Sequence, residues 1–386
     1  MPITLNQRPI FVTGSERSGT TLLMAILGMH PRIAVPEVTW YYPRFRPWLF
    51  TYGDLSVAGN FRTLAHEMAY GLRVPFWNMD VDPRTFSDEI AERAKAREQS
   101  FAGVFCAMLD RYAEHLDKPR WGEKTPYNLF YIGQIIEDFP NAQIVFIYRD
   151  GRDVSAEFLE ASFGPTNIYC AAELWHMGQQ AVKDWRKKLP KSQWFDIKYE
   201  NLVRDPVKQL KDLCAFLGEE YVDELLEFHT TPIAQRRRKT KDNAPLGEPI
   251  SDKYLGRYKN ELSIRDQRIM SWIAGESLRE LGYGNILNPL ELSPAQIAFY
   301  EELDGRYRAA ALDAPGGWIV NESYNDWLID QREVRQRAGI WSKPPSPLPF
   351  PIGTKFEETL CGMRAHRRWK QHFCIKREYS GSRAVL

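Results

Sequence analysis

Short apolar runs alternate with amphipathic stretches over the first 285 residues. A brief apolar run bounded by polar or turn residues reads as a buried strand, and apolar residues at i, i+3, i+4, i+7 read as a helix with one buried face. Strands are predicted at Ile10–Thr13, Arg120–Glu123, Ile144–Tyr148 and Trp194–Lys198. Helices are predicted at Gly19–Met29, Phe101–Leu116, Leu129–Phe139, Asp153–Ala161, Ala171–Leu189, Pro206–Leu217 and Asp266–Leu281. The clearest is Ala171–Leu189, where Ala171, Leu174, Trp175, Gly178, Val182 and Trp185 share one face. Strands alternating with helices predict an α/β fold with a central parallel sheet flanked by helices. No internal repeat is present, which excludes solenoids and propellers.

The pattern changes at Leu281-Gly282-Tyr283-Gly284, where two glycines stop a helix. Residues 1–285 are therefore expected to form one α/β domain. Residues 286–386 are expected to form a C-terminal extension or small subdomain, partly helical and related to the acceptor or to an interface. The breaker run Lys343-Pro344-Pro345-Ser346-Pro347-Leu348-Pro349 lies within it. Thr230–Lys253 lacks apolar periodicity, holds Arg236-Arg237-Arg238-Lys239-Thr240-Lys241, and reads as a long loop of the kind that forms lids.

Charge and composition narrow the function. Fifty-one Lys and Arg against fifty Asp and Glu leave a formal charge of +1, so a globally basic nucleic-acid binder is not expected. No run approaches the length of a membrane span; Ala142–Tyr148 suffices only for a strand. The N-terminus lacks the basic-then-apolar layout of a secretory signal. Cys106, Cys170, Cys214, Cys361 and Cys374 are scattered and odd in number, so a reducing cytoplasm is expected.

The segment after the first strand carries the most chemistry. Gly14-Ser15-Glu16-Arg17-Ser18-Gly19-Thr20-Thr21 has the frame of a P-loop, in which backbone N–H groups and a helix N-terminus hold an anion. Nucleotide triphosphatases place Lys directly after the second Gly; here that position is Thr20, and the cation is Arg17 inside the loop. The loop is thus built for a shorter anion than a triphosphate. A second block, Arg149-Asp150-Gly151-Arg152-Asp153-Val154-Ser155, comes after the strand Ile144–Tyr148. Arg149, at the strand end, is the ligand candidate, because open α/β sheets bind ligands there. Arg152 and Asp153 read as a solvated charge cluster, with Asp153 capping the next helix.

These two blocks resemble those of the sulfotransferases that use 3′-phosphoadenosine 5′-phosphosulfate (PAPS). The first is similar to their 5′-phosphosulfate loop and the second, Tyr148 to Val154, to their 3′-phosphate block. Weaker matches come in order: Gly122-Glu123-Lys124-Thr125-Pro126, Tyr199-Glu200-Asn201-Leu202 before Asp205-Pro206, and Gly256-Arg257-Tyr258-Lys259. The resemblance covers about residues 8 to 285.

It implies a P-loop nucleotide-binding fold and metal-independent transfer of a sulfuryl group from PAPS to a hydroxyl. It further implies that Gly14, Ser18, Gly19, Thr20 and Thr21 hold the 5′-phosphate, with Arg17 stabilising charge on the leaving group. Arg149 would take the 3′-phosphate, with Tyr199, Arg257 and Lys259 nearby. The family usually has Ser eight residues after that Arg; here it is Glu157, which repels a phosphate, and Ser155 is the substitute candidate. Glu37, after His30-Pro31, is the candidate base, Lys124 would steady the sulfate oxygens, and His30 is the reserve base. A carbohydrate or glycolipid is the expected acceptor. Sulfation of a protein tyrosine or small molecule, a P-loop kinase, and a nucleotide-binding protein without turnover are the alternatives.

Three features stand apart. Cys361, His366, His372 and Cys374 have zinc-ligand chemistry, but their spacing fits no finger, and no metal is expected. Gly362–Leu386 is basic and reads as a frayed tail or as a patch for an anionic surface. Trp318, Trp327, Trp341 and Trp369 read as packing anchors.

Overall fold

The computed structural model describes residues 8–343 apart from 71–76, 78, 162–163 and 314–316. The Cys361, His366, His372, Cys374 group, Trp369 and the basic tail lie outside the described residues, as does the Trp318 side chain.

Five strands form one sheet: β1 (Ile10–Thr13), β2 (Ile33–Ala34), β3 (Arg120–Lys124), β4 (Gln143–Tyr148) and β5 (Trp194–Lys198). Their order is β2-β3-β1-β4-β5 and every neighbouring pair is parallel. The four predicted strands are found within one residue at each end. The two-residue β2 is too short to leave a periodic trace. All four residues of β1 are buried. Phe11, Ile144 and Phe146 enter one core, while Ile10, Val12, Val145 and Ile147 enter the other, so both faces of the sheet are covered.

Helix α1 (Thr20–Met29) comes after β1 and buries Leu23, Ile26 and Leu27 in the second core. Between β2 and β3 lie α2 (Tyr41–Phe45), α3 (Ala58–Tyr70), α4 (Pro83–Arg97) and α5 (Phe101–His115). Between β3 and β4 the predicted helix Leu129–Phe139 is instead a 3₁₀ turn, Pro126–Phe130, succeeded by α6 (Ile132–Asp138). Helices α7 (Gly151–Glu160) and α8 (Ile168–Lys188) come after β4 and pack on the first core. The helices behind successive strands thus cover opposite faces, the doubly wound arrangement that opens a crevice at the carboxyl ends of the central strands.

After β5 come α9 (Tyr199–Arg204) and α10 (Pro206–Leu217), the latter with Asp205 accepting from the Lys208 amide and Gly218 in the left-handed region at its end. The expected loop Thr230–Lys253 is largely helical: α11 (Pro232–Arg237) is capped by Thr231, and Lys241–Gly247 forms a 3₁₀ turn. Helices this short show no periodicity, yet Ala234 and Leu246 anchor the segment in the second core. Helices α12 (Tyr258–Glu261) and α13 (Ile264–Glu280) complete the first 285 residues.

Beyond them, α14 (Pro294–Asp313) and α15 (Gly317–Arg337) lie against the rest of the molecule. The buried Asp304 of α14 accepts from the Thr166 amide at 2.6 Å. On α15, Arg335 donates to Glu67 of α3 at 2.5 Å and to the Thr51 carbonyl at 3.0 Å. Trp341 packs edge-on against Phe50, ring centroids 5.5 Å apart, and acts as the expected anchor, whereas Trp327 is about one third exposed. Among the described residues no helix is long and apolar enough to cross a membrane.

Candidate functional site

The loop between β1 and α1 owes its shape to three residues with positive φ. Gly14 has φ 157°, and a Cβ there would stand 2.1 Å from the Ile147 carbonyl oxygen. Gly19 has φ 96°, and its Cβ would stand 2.7 Å from the Tyr199 ring. Arg17, with a side chain, still adopts φ 66°, an uncommon conformation that functional turns sustain. Ser18 is fully buried, and its hydroxyl has no hydrogen-bond partner among the described residues. A buried orphan hydroxyl beside the N-terminus of a ten-residue helix fits an anion. Across the ladder, Lys124 stands opposite Val12 and donates to the Thr21 hydroxyl at 3.5 Å, which brings a second cation to the loop.

The arginines of the two blocks meet on one carboxylate. Arg17 donates to Glu157 Oε2, 3.1 Å from Nε and 2.8 Å from a terminal nitrogen, and to the Asp242 carbonyl at 2.8 Å. Arg149, 2% exposed, donates to Glu157 Oε1 at 2.5 Å, to the Arg17 carbonyl at 3.2 Å and to the Tyr254 carbonyl at 2.8 Å. Its guanidinium stacks over Tyr199 at 4.6 Å. Arg257 approaches Glu157 at 3.9 Å while bonding Glu261 and Glu160. Burial by itself raises the Glu157 pKa, but Arg149 and Arg17 outweigh it and hold the carboxyl below its usual value. The same carboxylate helps push the Arg149 pKa above its usual value against the effect of burial.

Glu37 is 1% exposed and forms ion pairs with Arg236 and Arg237 of α11. Burial raises its pKa, and the two arginines reverse that and leave it lowered. The carboxylate is therefore ionised and able to accept a proton, though less basic than a free one. The chain just after it is held by a buried network: Glu123 accepts from Thr39 at 2.7 Å, from Thr125 at 2.5 Å and from Asn128 at 2.5 Å. Burial raises the Glu123 pKa to about 7 despite these donors. One segment reaches both parts of the site, since α11 holds Glu37 and the nearby Asp242 carbonyl holds Arg17.

Several expectations are corrected. Asp150, not Asp153, caps α7 by accepting from the Arg152 amide. Asp153 is buried and accepts from the Gly256 and Tyr258 amides at 2.8 and 3.0 Å, tying that segment to α7. Arg152 is likewise buried and bonds Asp150 and the Gly284 and Asn285 carbonyls. Ser155 does not join the arginine cluster; its hydroxyl donates to the Met270 sulfur at 3.7 Å inside the core. His30 is no reserve base, because Nδ1 accepts from the Arg32 amide and Nε2 then donates to the Glu220 carbonyl. It also ends α1, about 15 Å from the loop at 1.5 Å per residue. Lys259 is exposed, beside Gly256. The Glu37 partners Arg236 and Arg237 belonged to a basic run that sequence alone could not aim, and the Glu123 network left no periodic signal.

The sequence profile described as "Sulfotransferase family" matches residues 9–224, more than half of the chain. An uncharacterized protein of Aquifex aeolicus (strain VF5) is 27% identical over 236 residues, 58% of this chain and 27% of that protein. A protein-tyrosine sulfotransferase of Drosophila melanogaster is 24% identical over 294 residues, 72% of this chain and 52% of that protein. The chain thus spans about a quarter and about half the length of these two relatives. Among solved structures, the sulfotransferase domain from the Synechococcus PCC 7002 olefin synthase superposes with a TM-score of 0.48 at 19% identity, covering 80% of this chain and 98% of that one. With the profile running unbroken from β1 past β5 and α10, the chain belongs to the sulfotransferase family.

Proposed function

We propose that this chain moves the sulfuryl group of PAPS to a hydroxyl of an acceptor, with the site residues predicted from the sequence apart from Ser155. The observation that carries the reading is the buried, unpartnered Ser18 hydroxyl inside a loop whose two glycines leave no room for a Cβ. Such a loop fits a phosphate group. Ser18, Gly19, Thr20 and Thr21 hold the 5′-phosphate; Gly14 frames the loop. PAPS supplies an activated sulfuryl group on a phosphate leaving group. Arg17 and Lys124 act on the negative charge that develops as that bond breaks, which is selective for the transition state. Glu37 accepts the acceptor's proton. Arg149, stacked on Tyr199, reads the 3′ end of the nucleotide with Arg257 and Lys259.

The acceptor class we favour is a carbohydrate or glycolipid, on the ground that a carboxylate base and a large appended segment suit a bulky acceptor. In the same proposal residues 1–285 are the transferase domain and 286–386 serve the acceptor or an interface. Protein tyrosine is the second reading, because the Drosophila melanogaster relative carries that name. A cytoplasmic setting is supported by Cys106 and Cys214, which among the described residues are buried thiols outside any disulfide. Purified protein with ³⁵S-labelled PAPS and parallel panels of oligosaccharides, glycolipids and tyrosine peptides tests the proposal. Label transfer to a sugar hydroxyl is expected; transfer to tyrosine alone selects the second reading. Preferential binding of ATP with magnesium over 3′-phosphoadenosine 5′-phosphate would defeat both.

A further inference from the structure

Glu157 is set where the adenylyl-donor reading puts a second phosphate. It lies two turns along α7 from the end of β4 and offers both carboxylate oxygens inward, Oε1 to Arg149 and Oε2 to Arg17. Its side chain is 11% exposed, and Arg257 closes a third side at 3.9 Å. Arg149 donates further terminal N–H groups to the Arg17 and Tyr254 carbonyls and has Asp153 at 3.9 Å. Its Nε–H is buried without a hydrogen-bond partner among the described residues, so Glu157 makes the shortest contact on a guanidinium that still has a donor to offer a phosphate oxygen. A carboxylate and a phosphate cannot share one guanidinium edge without repulsion. A carboxylate next to a ribose instead accepts from a free hydroxyl, the device by which dinucleotide folds separate a hydroxyl from a phosphate on the same sugar carbon.

We propose that Glu157 is a donor-selectivity residue: its carboxylate competes with a 3′-phosphate for Arg149, so the site gains little affinity from that phosphate and discriminates weakly between nucleotides with and without it. The inference rests on the reading that Arg149 faces the 3′ end of an adenylyl donor. Because the same carboxylate also bonds Arg17 of the 5′ loop, its effect at the 3′ end is read from nucleotides that differ only there.

Titration calorimetry of the intact chain with 3′-phosphoadenosine 5′-phosphate and with adenosine 5′-phosphate decides the matter. The readout is the ratio of the two affinities in wild type, Glu157→Ser and Glu157→Gln. Removing a negative charge strengthens binding of any anion, and adenosine 5′-phosphate corrects for that general gain. The ratio is expected to rise about tenfold or more in both variants in favour of the 3′-phosphate. A ratio unchanged in variants that keep the wild-type circular dichroism would overturn the inference and leave Glu157 as a strut between arginines. Glu157→Gln preserves side-chain volume, so it serves if Glu157→Ser fails to fold. If neither nucleotide binds any of the three proteins, the adenylyl-donor reading fails and takes the inference with it.

Discussion

Arg17 combines a strained backbone with a guanidinium shared between Glu157 and Asp242. In the proposed reaction its charge matters most as the leaving phosphate becomes more negative. Arg17→Ala is therefore expected to lower turnover about 10²-fold or more, with a smaller change in nucleotide affinity. Steady-state kinetics beside calorimetry checks this, and a loss confined to affinity would make Arg17 a binding residue only. Glu37→Gln keeps shape and removes the proton acceptor. Turnover should fall roughly 10²–10⁴-fold while nucleotide binding stays near wild type. Near-normal turnover would move the base elsewhere. Glu123 permits a test by pH alone. Its folded pKa, raised by burial from 4.5 to about 7, means that the native state keeps a proton that the unfolded chain has released within that window. Stability contributed by this group therefore falls as pH rises from 4.5 to about 7 and is flat above. Glu123→Gln should remove that part of the slope of Tm against pH; an unchanged slope would show that the network holds Glu123 ionised.

At the level of elements, the loop and the helix behind it work as one part because Gly19 lets α1 begin directly under the anion cradle. Its φ of 96° and the Tyr199 ring at 2.7 Å from a would-be Cβ leave no tolerance. Gly19→Ala should cost about 1–3 kcal/mol of stability and abolish detectable nucleotide binding. Denaturant unfolding with calorimetry on the same sample checks both, and a variant that binds normally would show that the loop relaxes. The segment from α11 to Gly247 plays a different part. It holds Glu37 through Arg236 and Arg237 and Arg17 through the Asp242 carbonyl, so the proposed base and the loop cation are set by one short stretch of chain.

Over the whole molecule, residues beyond 285 bind the rest by buried polar contacts as well as by aromatic packing. Arg335 and Glu67 form a pair with side chains 8% and 6% exposed, and Tyr52 also donates to Glu67 at 2.5 Å. Arg335→Leu takes one cation from that buried carboxylate and should cost up to roughly 3–5 kcal/mol, whereas the double change with Glu67→Leu should recover most of it. Urea unfolding of the two variants provides the comparison. Equal losses in both would mean that the carboxylate left behind carries no penalty of its own.

The four longer strands, the P-loop frame and the arginine at the end of β4 were legible because each is written in contiguous residues. Apolar runs mark strands that are buried on both faces, glycines mark positive φ, and a parallel sheet sets the residues next after a strand at its carboxyl edge. Short elements left no such mark: β2 has two residues, α11 has six, and their places come from the cores they join. Partnership was also invisible, because ion pairs join residues far apart in sequence. Arg152 and Asp153 read as a solvated cluster, yet the fold buries both and hands the cap to Asp150. Glu157 read as a simple mismatch, and only the packing of α7 beside the loop brings it between Arg17 and Arg149. The local alphabet determined which pieces form and what chemistry they carry. Tertiary packing decided which charge each charged group faces, since that depends on distances that sequence separation does not encode.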